Sequence, residues 1–119
     1  MPARESLVNK KILITGASGF IGTALMRSLA DTDWEIISLV RRSIGLKNEV
    51  IVDFCDADFC SKIHSLPEVG VVIHLGATVS FNDNLKEDLF APNVLATGEL
   101  VSWARKIKAY FVFASTAMV

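Results

Sequence analysis

The stretch that decides the fold is Lys11–Gly22, which reads KILITGASGFIG. It opens with a short apolar segment that Gly16 ends, and this is the pattern of a buried β-strand. Beyond the glycines, Ile21, Leu25 and Leu29 recur every fourth residue, which gives a helix one apolar face. The sequence therefore predicts a strand and a helix that are joined by a glycine-rich turn.

The glycines of this turn fit a bound diphosphate, whose negative charge must be met without clashing side chains. Gly16 permits a sharp turn, Gly19 a close approach of the backbone, and Gly22 the packing of the helix on the strand. The free N–H groups and the positive dipole end of the helix then face the phosphates. The strand before the turn and the helix after it favour a dinucleotide site over glycines that only serve tight turns. The expected cofactor-binding residues of the turn are Gly16, Ser18, Gly19, Phe20, Ile21 and Gly22.

The rest of the chain repeats the alternation of strand and helix. Such alternation forms βαβ units with right-handed crossovers and a parallel sheet. We predict a doubly wound α/β fold, the Rossmann fold, with five strands in the order 3-2-1-4-5, in which residues 1–9 are a tail and 10–119 the domain. The further predicted strands are Glu35–Val40, Glu49–Asp53, Val71–Leu75 and Tyr110–Ser115, and the further predicted helices span about 57–66 and 85–107.

Composition excludes several other classes of protein. A chain of 119 residues fits one domain, and its net charge of −1 gives no argument for nucleic acid or an anionic membrane. No apolar run approaches the ~20 residues of a membrane span, and the N-terminus lacks the apolar segment of a signal peptide. Cys55 and Cys60 suit a reduced, cytoplasmic protein better than a disulfide framework. We expect no metal site, because packing or surface roles outweigh metal binding for His64 and His74.

The turn, which reads Thr-Gly-x-x-Gly-x-x-Gly, resembles that of the extended short-chain dehydrogenase/reductase superfamily, the NAD(P)-dependent epimerases and dehydratases. Val52–Phe54 resembles the family's Gly-Asp-apolar segment, with valine in place of glycine. The resemblance implies that Asp53 contacts the adenine amino group and that Phe54 packs on the adenine ring. His74–Ala77 resembles the His-x-Ala-Ala element that lines the cofactor. The resemblance adds these residues to the cofactor site: Leu75, Gly76 and Ala77.

Two later motifs continue the resemblance in the same order. Asn93–Thr97 is similar to the Asn-Val-x-Gly-Thr start of the family's next helix, with Ala96 in place of the glycine. The resemblance implies that Asn93 ties backbone segments together near the active site. The last residues, 113–119, resemble the strand that carries the catalytic Ser or Thr. On that register Thr116 takes the catalytic position, and Ser115 lies beside it at the cofactor.

The end of the second predicted strand bears on the choice between NAD and NADP. An acidic residue there accepts hydrogen bonds from the adenosine ribose and repels a 2′-phosphate. In this sequence the position is Val40, which has no carboxylate, and Arg41 and Arg42 follow it. Because guanidinium groups bind phosphate in bidentate fashion, the sequence favours NADP over NAD. The alternative is that both arginines are solvated residues of an exposed loop.

The family's proton donor has no counterpart in the sequence. That donor is the tyrosine of a Tyr-x-x-x-Lys motif, and the only tyrosine here, Tyr110, lies in a predicted strand. Since acid–base catalysis needs a titrating group at the reacting oxygen, we expect the chain alone to be inactive. It is interpreted as the N-terminal part of an epimerase, dehydratase or reductase that transfers hydride to or from a nucleotide sugar or similar small hydroxyl or keto substrate.

Two other functions remain open, a non-catalytic dinucleotide-binding or regulatory module and a protein that keeps the fold without binding the cofactor. The predicted fifth strand also bears on assembly. It would form an edge of the sheet with an uncovered apolar run. Because such an edge favours pairing between copies, we expect a homodimer or higher oligomer.

Overall fold

The computed structural model describes residues 9–75 and 83–114, and it describes side chains throughout these ranges except at 83–93. The described strands are β1 (Lys11–Thr15), β2 (Glu35–Val40), β3 (Glu49–Ile51), β4 (Val71–His74) and β5 (Tyr110–Phe113). The described helices are α1 (Phe20–Leu29), α2 (Phe59–His64) and α3 (Asp83–Lys106).

The strands form one parallel sheet in the order β3-β2-β1-β4-β5, which confirms the predicted topology. The register aligns the strands at their carboxyl ends, where Thr15 lies opposite Leu39 on one side and His74 on the other. β2 and β3 lie on one side of β1, and β4 and β5 lie on the other, so the strand order reverses next to β1. In such sheets, the point at which the strand order reverses leaves a crevice at the carboxyl ends of the strands.

Helices cover both faces of the sheet, as a doubly wound fold requires. On one face Leu13 and Val72 pack with Leu100 and Trp103 of α3 and with Ile63 of α2. α2 and α3 thus pack their apolar faces against the sheet. The removal of this apolar surface from water supplies the main stabilising free energy of the fold. The opposite face has a smaller cluster. Its fully buried members are Ile12, Ile14 and Ala17, and the α1 side chains packed against them are Leu25, Met26 and Leu29.

Three strands end earlier than the sequence predicts: β3 ends at Ile51, β4 at His74 and β5 at Phe113. The N–H of Val52 still donates to the carbonyl of Val40 at 2.8 Å, but the next residue leaves the ladder. There the Asp53 carboxylate accepts the N–H of Cys55 at 2.9 Å, so a local turn replaces strand pairing. β5 ends at Phe113 rather than Ser115, which lies outside the described residues.

α2 is also shorter than predicted, because turn hydrogen bonds replace helical ones on both sides of it. The N–H of Phe59 donates to the carbonyl of Asp56, and the N–H of Leu66 donates to that of Ile63. The bounds of α3, in contrast, agree with the predicted ones to within two residues. Within the described part of the chain, no helix is both long and apolar enough to cross a membrane.

β5 lies at an edge of the sheet, as the sequence predicts. Its apolar side chains stay in contact with water, since Tyr110, Val112 and Phe113 are 40–49% exposed. Side chains of this kind are ordinarily buried in a parallel sheet. The exposed face of β5 is therefore a surface on which further protein can pack.

Candidate functional site

The glycine-rich turn at the end of β1 depends on the lack of side chains at two positions. Gly16 has a φ of 77°, a left-handed conformation that strains other residues. A β-carbon at Gly22 would lie 2.1 Å from the carbonyl oxygen of Gly16 and 2.7 Å from Cα of Ala17. The helix can therefore approach the strand end only because position 22 is glycine.

The first turn of α1 presents backbone donors that no side chain occupies. Gly19 caps the helix with extended backbone, no side chain hydrogen-bonds to the cap, and the first turn holds no acidic residue. The N–H of Thr23 makes the first intrahelical bond, to Gly19 at 2.9 Å. The N–H groups of Phe20, Ile21 and Gly22 precede that bond, so they point beyond the helix end. Such an end attracts an anion through its N–H groups and its dipole.

Two large apolar side chains stand in water beside these donors. Phe20 is 93% exposed and Ile21 52% exposed. Exposed apolar groups that border a polar cradle are typical of a ligand-binding surface. Phe20 and Ile21 therefore add an apolar border to the glycine turn.

Arg41 and Arg42 follow directly after β2 and are exposed. Because Thr15 pairs with Leu39, this position lies at the level of the glycine turn. A carboxylate that the sequence analysis did not expect also belongs to this loop. Glu49, the first residue of β3, accepts the N–H groups of Ile44 and Leu46 and the hydroxyl of Ser43. These hydrogen bonds, the one from Ser43 above all, hold the pKa of the Glu49 carboxyl below its usual range.

Asp53 and Phe54 follow Val52 just beyond the end of β3, at the same edge of the sheet. Each is half-buried. One oxygen of the Asp53 carboxylate accepts the N–H of Cys55, and the Phe54 ring makes edge contacts with Phe59 and His74, both at a centroid distance of 6.5 Å. The Phe54 ring is thus fixed by neighbours on the protein side.

A buried polar network joins the ends of β1 and β4 to α3. The hydroxyl oxygen of Thr15 lies 2.6 Å from Nδ1 of His74 and accepts the N–H of Leu75 at 3.0 Å. Nε2 of His74 lies 2.9 Å from the hydroxyl of Thr97. Burial lowers the pKa of the His74 imidazole, which favours the neutral ring. The resemblance places His74 in a cofactor-lining element, but no sequence pattern indicates its threonine partners.

The structure brings most of the predicted cofactor residues to the carboxyl edge of the sheet. Gly76, Ala77, Ser115 and Thr116 lie outside the described residues, as does the side chain of Asn93. The predicted residues that the structure describes come after the ends of β1, β2, β3 and β4. They are Gly16, Ser18, Gly19, Phe20, Ile21, Gly22, Arg41, Arg42, Asp53, Phe54 and Leu75.

Cys60 and His64 lie on α2, and Cys55 lies in the turn that follows β3. Cys55 is exposed and Cys60 half-buried, and both are free thiols. Burial and the neighbouring Glu99 carboxylate raise the pKa of the Cys60 thiol. His64 pairs with the same carboxylate, with Nε2 and Oε2 3.0 Å apart. Across residues 9–75 and 94–114, no group of three or more His, Cys, Asp or Glu side chains could hold a metal ion.

Comparison with known proteins agrees with this geometry. The model of the NAD dependent epimerase/dehydratase family matches residues 12–119. The chain belongs to this family. A crystal structure of a short-chain dehydrogenase/reductase superfamily protein from Agrobacterium tumefaciens, with bound NAD, is 30% identical, with a TM-score of 0.75 over 89% of this chain and 32% of that one. The chain is therefore similar to about a third of a larger protein whose structure contains NAD.

Curated relatives give the same picture with different chemistry. A putative UDP-glucose 4-epimerase from Methanocaldococcus jannaschii is 31% identical over 88% of this chain and 37% of its own length. Fatty acyl-CoA reductase 1 from Rattus norvegicus is 29% identical over 92% of this chain and 28% of its own length. The chain thus spans about a third of the length of the relatives it matches, and their names differ in substrate.

Proposed function

We propose that residues 10–119 form a domain that binds NADP or NAD, with the diphosphate on the first turn of α1. The observation that carries this proposal is the cradle between Gly16 and Gly22, where backbone donors are uncapped and a β-carbon at position 22 has no room. A diphosphate brought to this turn would accept hydrogen bonds from the N–H groups of Phe20, Ile21 and Gly22. Gly19, which has no side chain, would allow the phosphates a close approach to the backbone.

The proposed preference is for NADP. Arg41 and Arg42 are exposed after β2, at the level of the glycine turn, and guanidinium groups suit a 2′-phosphate. The two oxygens of Glu49 already accept hydrogen bonds from the loop, so this carboxylate does not take the place of the acidic residue that binds the ribose of NAD. Asp53 and Phe54 would border the adenine. Leu75, Gly76 and Ala77, with Asn93 and Ser115, would complete the site.

For the whole protein we propose an epimerase, dehydratase or reductase that acts on a nucleotide sugar or a similar hydroxyl or keto compound. When bound, the nicotinamide ring supplies the site that accepts or gives the hydride. Thr116 would hydrogen-bond the reacting oxygen of the substrate. The chain itself provides the cofactor-binding half of this chemistry, because its sequence contains no Tyr-x-x-x-Lys proton donor.

Calorimetric titration of the 119-residue chain with NADPH and with NADH tests the proposal. We expect saturable binding of both, with NADPH the tighter ligand. Gly19→Ala should weaken the binding of both coenzymes, because its methyl group would lie where the phosphates approach the backbone. Within the protein that methyl group would lie 3.4 Å from the carbonyl oxygen of Gly16, which is close to an ordinary contact. Gly98→Ala is the matched control, since a β-carbon there meets nothing within 4 Å. Absence of binding to either coenzyme would overturn the proposal and favour a fold without cofactor function.

A further inference from the structure

The loop between β2 and β3, residues 41–48, is held closed by one carboxylate at its far end. Oε1 of Glu49 accepts the hydroxyl of Ser43 at 2.5 Å, and Oε2 accepts the N–H groups of Ile44 at 2.8 Å and Leu46 at 3.1 Å. The loop turns at Gly45, whose φ of 82° is left-handed. Both oxygens of the carboxylate therefore lie on the inner side of the loop that begins with the two arginines.

The ends of the same loop are fixed to the sheet. The N–H of Ser38 donates to the carbonyl of Asn48, and that of Val52 donates to the carbonyl of Val40, both at 2.8 Å. Leu46 packs against the apolar cluster on the α1 face. Arg41 and Arg42 are the part of the loop between these anchors and the Glu49 contacts. Within the described residues, neither arginine forms an ion pair with Glu49.

We infer that Glu49 is a positioning residue for the choice between NADP and NAD, because it holds the loop in the shape that presents Arg41 and Arg42 to a 2′-phosphate. The inference rests on the proposed function, which assigns the phosphate to these arginines. A loop that is ordered before binding avoids the entropic cost of ordering on the ligand. NAD has no 2′-phosphate, so this saving applies to NADP alone.

The two roles open to this carboxylate predict opposite results. If Glu49 acted through its charge, it would repel the 2′-phosphate, and both Glu49→Ala and Glu49→Gln would tighten NADP binding. If it acts through geometry, Glu49→Ala loosens the loop and weakens NADP binding. Glu49→Gln then rescues it, because one amide oxygen can accept the N–H groups of Ile44 and Leu46, while the amide NH₂ donates to the Ser43 hydroxyl.

The experiment measures the dissociation constants of NADP and NAD for the wild-type chain and its variants. Glu49→Ala should weaken NADP binding by roughly fivefold to tenfold and change NAD binding by less than about twofold. Glu49→Gln should keep most of the wild-type preference, measured as the ratio of the NAD dissociation constant to the NADP dissociation constant. Glu35→Ala is the matched control, since it removes an exposed carboxylate at the amino end of β2 and should leave both constants unchanged. Ser43→Ala, which removes a single donor, should lower the ratio about twofold and serves if Glu49→Ala does not fold.

Failure of the inference is separable from failure of the proposed function. A wild-type chain that binds neither coenzyme, or that binds NAD more tightly, overturns the phosphate assignment and the inference with it. A wild-type chain that prefers NADP, and whose preference survives in Glu49→Ala as it does in Glu35→Ala, overturns the inference alone. Tighter NADP binding by both Glu49 variants would also overturn it, in favour of a charge effect.

Discussion

The hydroxyl oxygen of Thr15 lies 2.6 Å from Nδ1 of His74, and both side chains are almost fully buried. Thr15 is the last residue of β1 and directly precedes the glycine turn, whereas His74 is the last residue of β4. The opposite ring nitrogen of His74 meets the hydroxyl of Thr97 on α3. One imidazole thus joins the two strand ends that flank the proposed cofactor crevice to the helix beneath them.

We expect His74→Ala to destabilise the fold by about 2–4 kcal/mol, because it removes a packed ring and the imidazole contacts of the Thr15 and Thr97 hydroxyl groups. His64→Ala is the control, since its ring is much more exposed and pairs with Glu99 at the surface. That change should cost less than about 1 kcal/mol. Urea unfolding of the three proteins measures the difference. Equal losses in the two variants would show that the buried network adds nothing.

The same ring predicts how stability depends on pH. Burial lowers the pKa of His74 in the folded protein below its ordinary value of 6.5, so the unfolded chain binds a proton that the folded one resists. The contribution is therefore complete above pH 6.5 and is lost as the pH falls towards the folded pKa. We expect the unfolding free energy of the wild type to fall more steeply between pH 7.5 and 5 than that of His74→Gln. Parallel pH profiles would contradict this assignment.

The alternation of strands and helices and the place of the glycine turn could be predicted because both depend on local patterns, and the strand order followed by analogy to the doubly wound fold. Apolar segments alternate with helical spacing, and the glycines lie between the first strand and helix. The end of β3 could not, since the hydrogen bond from the Cys55 N–H to the Asp53 carboxylate replaces strand pairing there. The Thr15–His74 contact joins residues 59 positions apart, and Glu49 reaches its donors only because the loop folds back. No sequence pattern specifies either contact.

The two helical glycines should respond to alanine in opposite ways. At Gly22 a β-carbon meets backbone atoms that cannot move aside, so Gly22→Ala should destabilise the protein by about 1–3 kcal/mol. At Gly98 the space is open, so Gly98→Ala should stabilise α3 by about 0.5–1 kcal/mol through its effect on the unfolded chain. Thermal unfolding of both variants measures this. A neutral Gly22→Ala would mean that α1 does not approach the end of β1 so closely.

The exposed face of β5 should cause the 119-residue chain to associate with itself. Tyr110 and Val112 lie on the same face of the strand, and both are exposed to solvent. We expect light scattering to give a mass above 13.0 kDa, and Val112→Lys to shift the mass towards the monomer. A monomeric wild-type chain at high concentration would contradict the expectation.

Diphosphate binding by the backbone amides at the start of α1 can be observed directly by NMR titration of the labelled chain with NADPH. We expect the largest changes in amide chemical shift at Gly19, Phe20, Ile21 and Gly22, with smaller changes at Arg41 and Arg42. Inorganic pyrophosphate alone should move the first group and leave the arginine amides nearly unchanged. Saturable binding without a change in the amide chemical shifts of residues 19–22, or no change in any amide chemical shift, would contradict the claim that these amides bind the diphosphate.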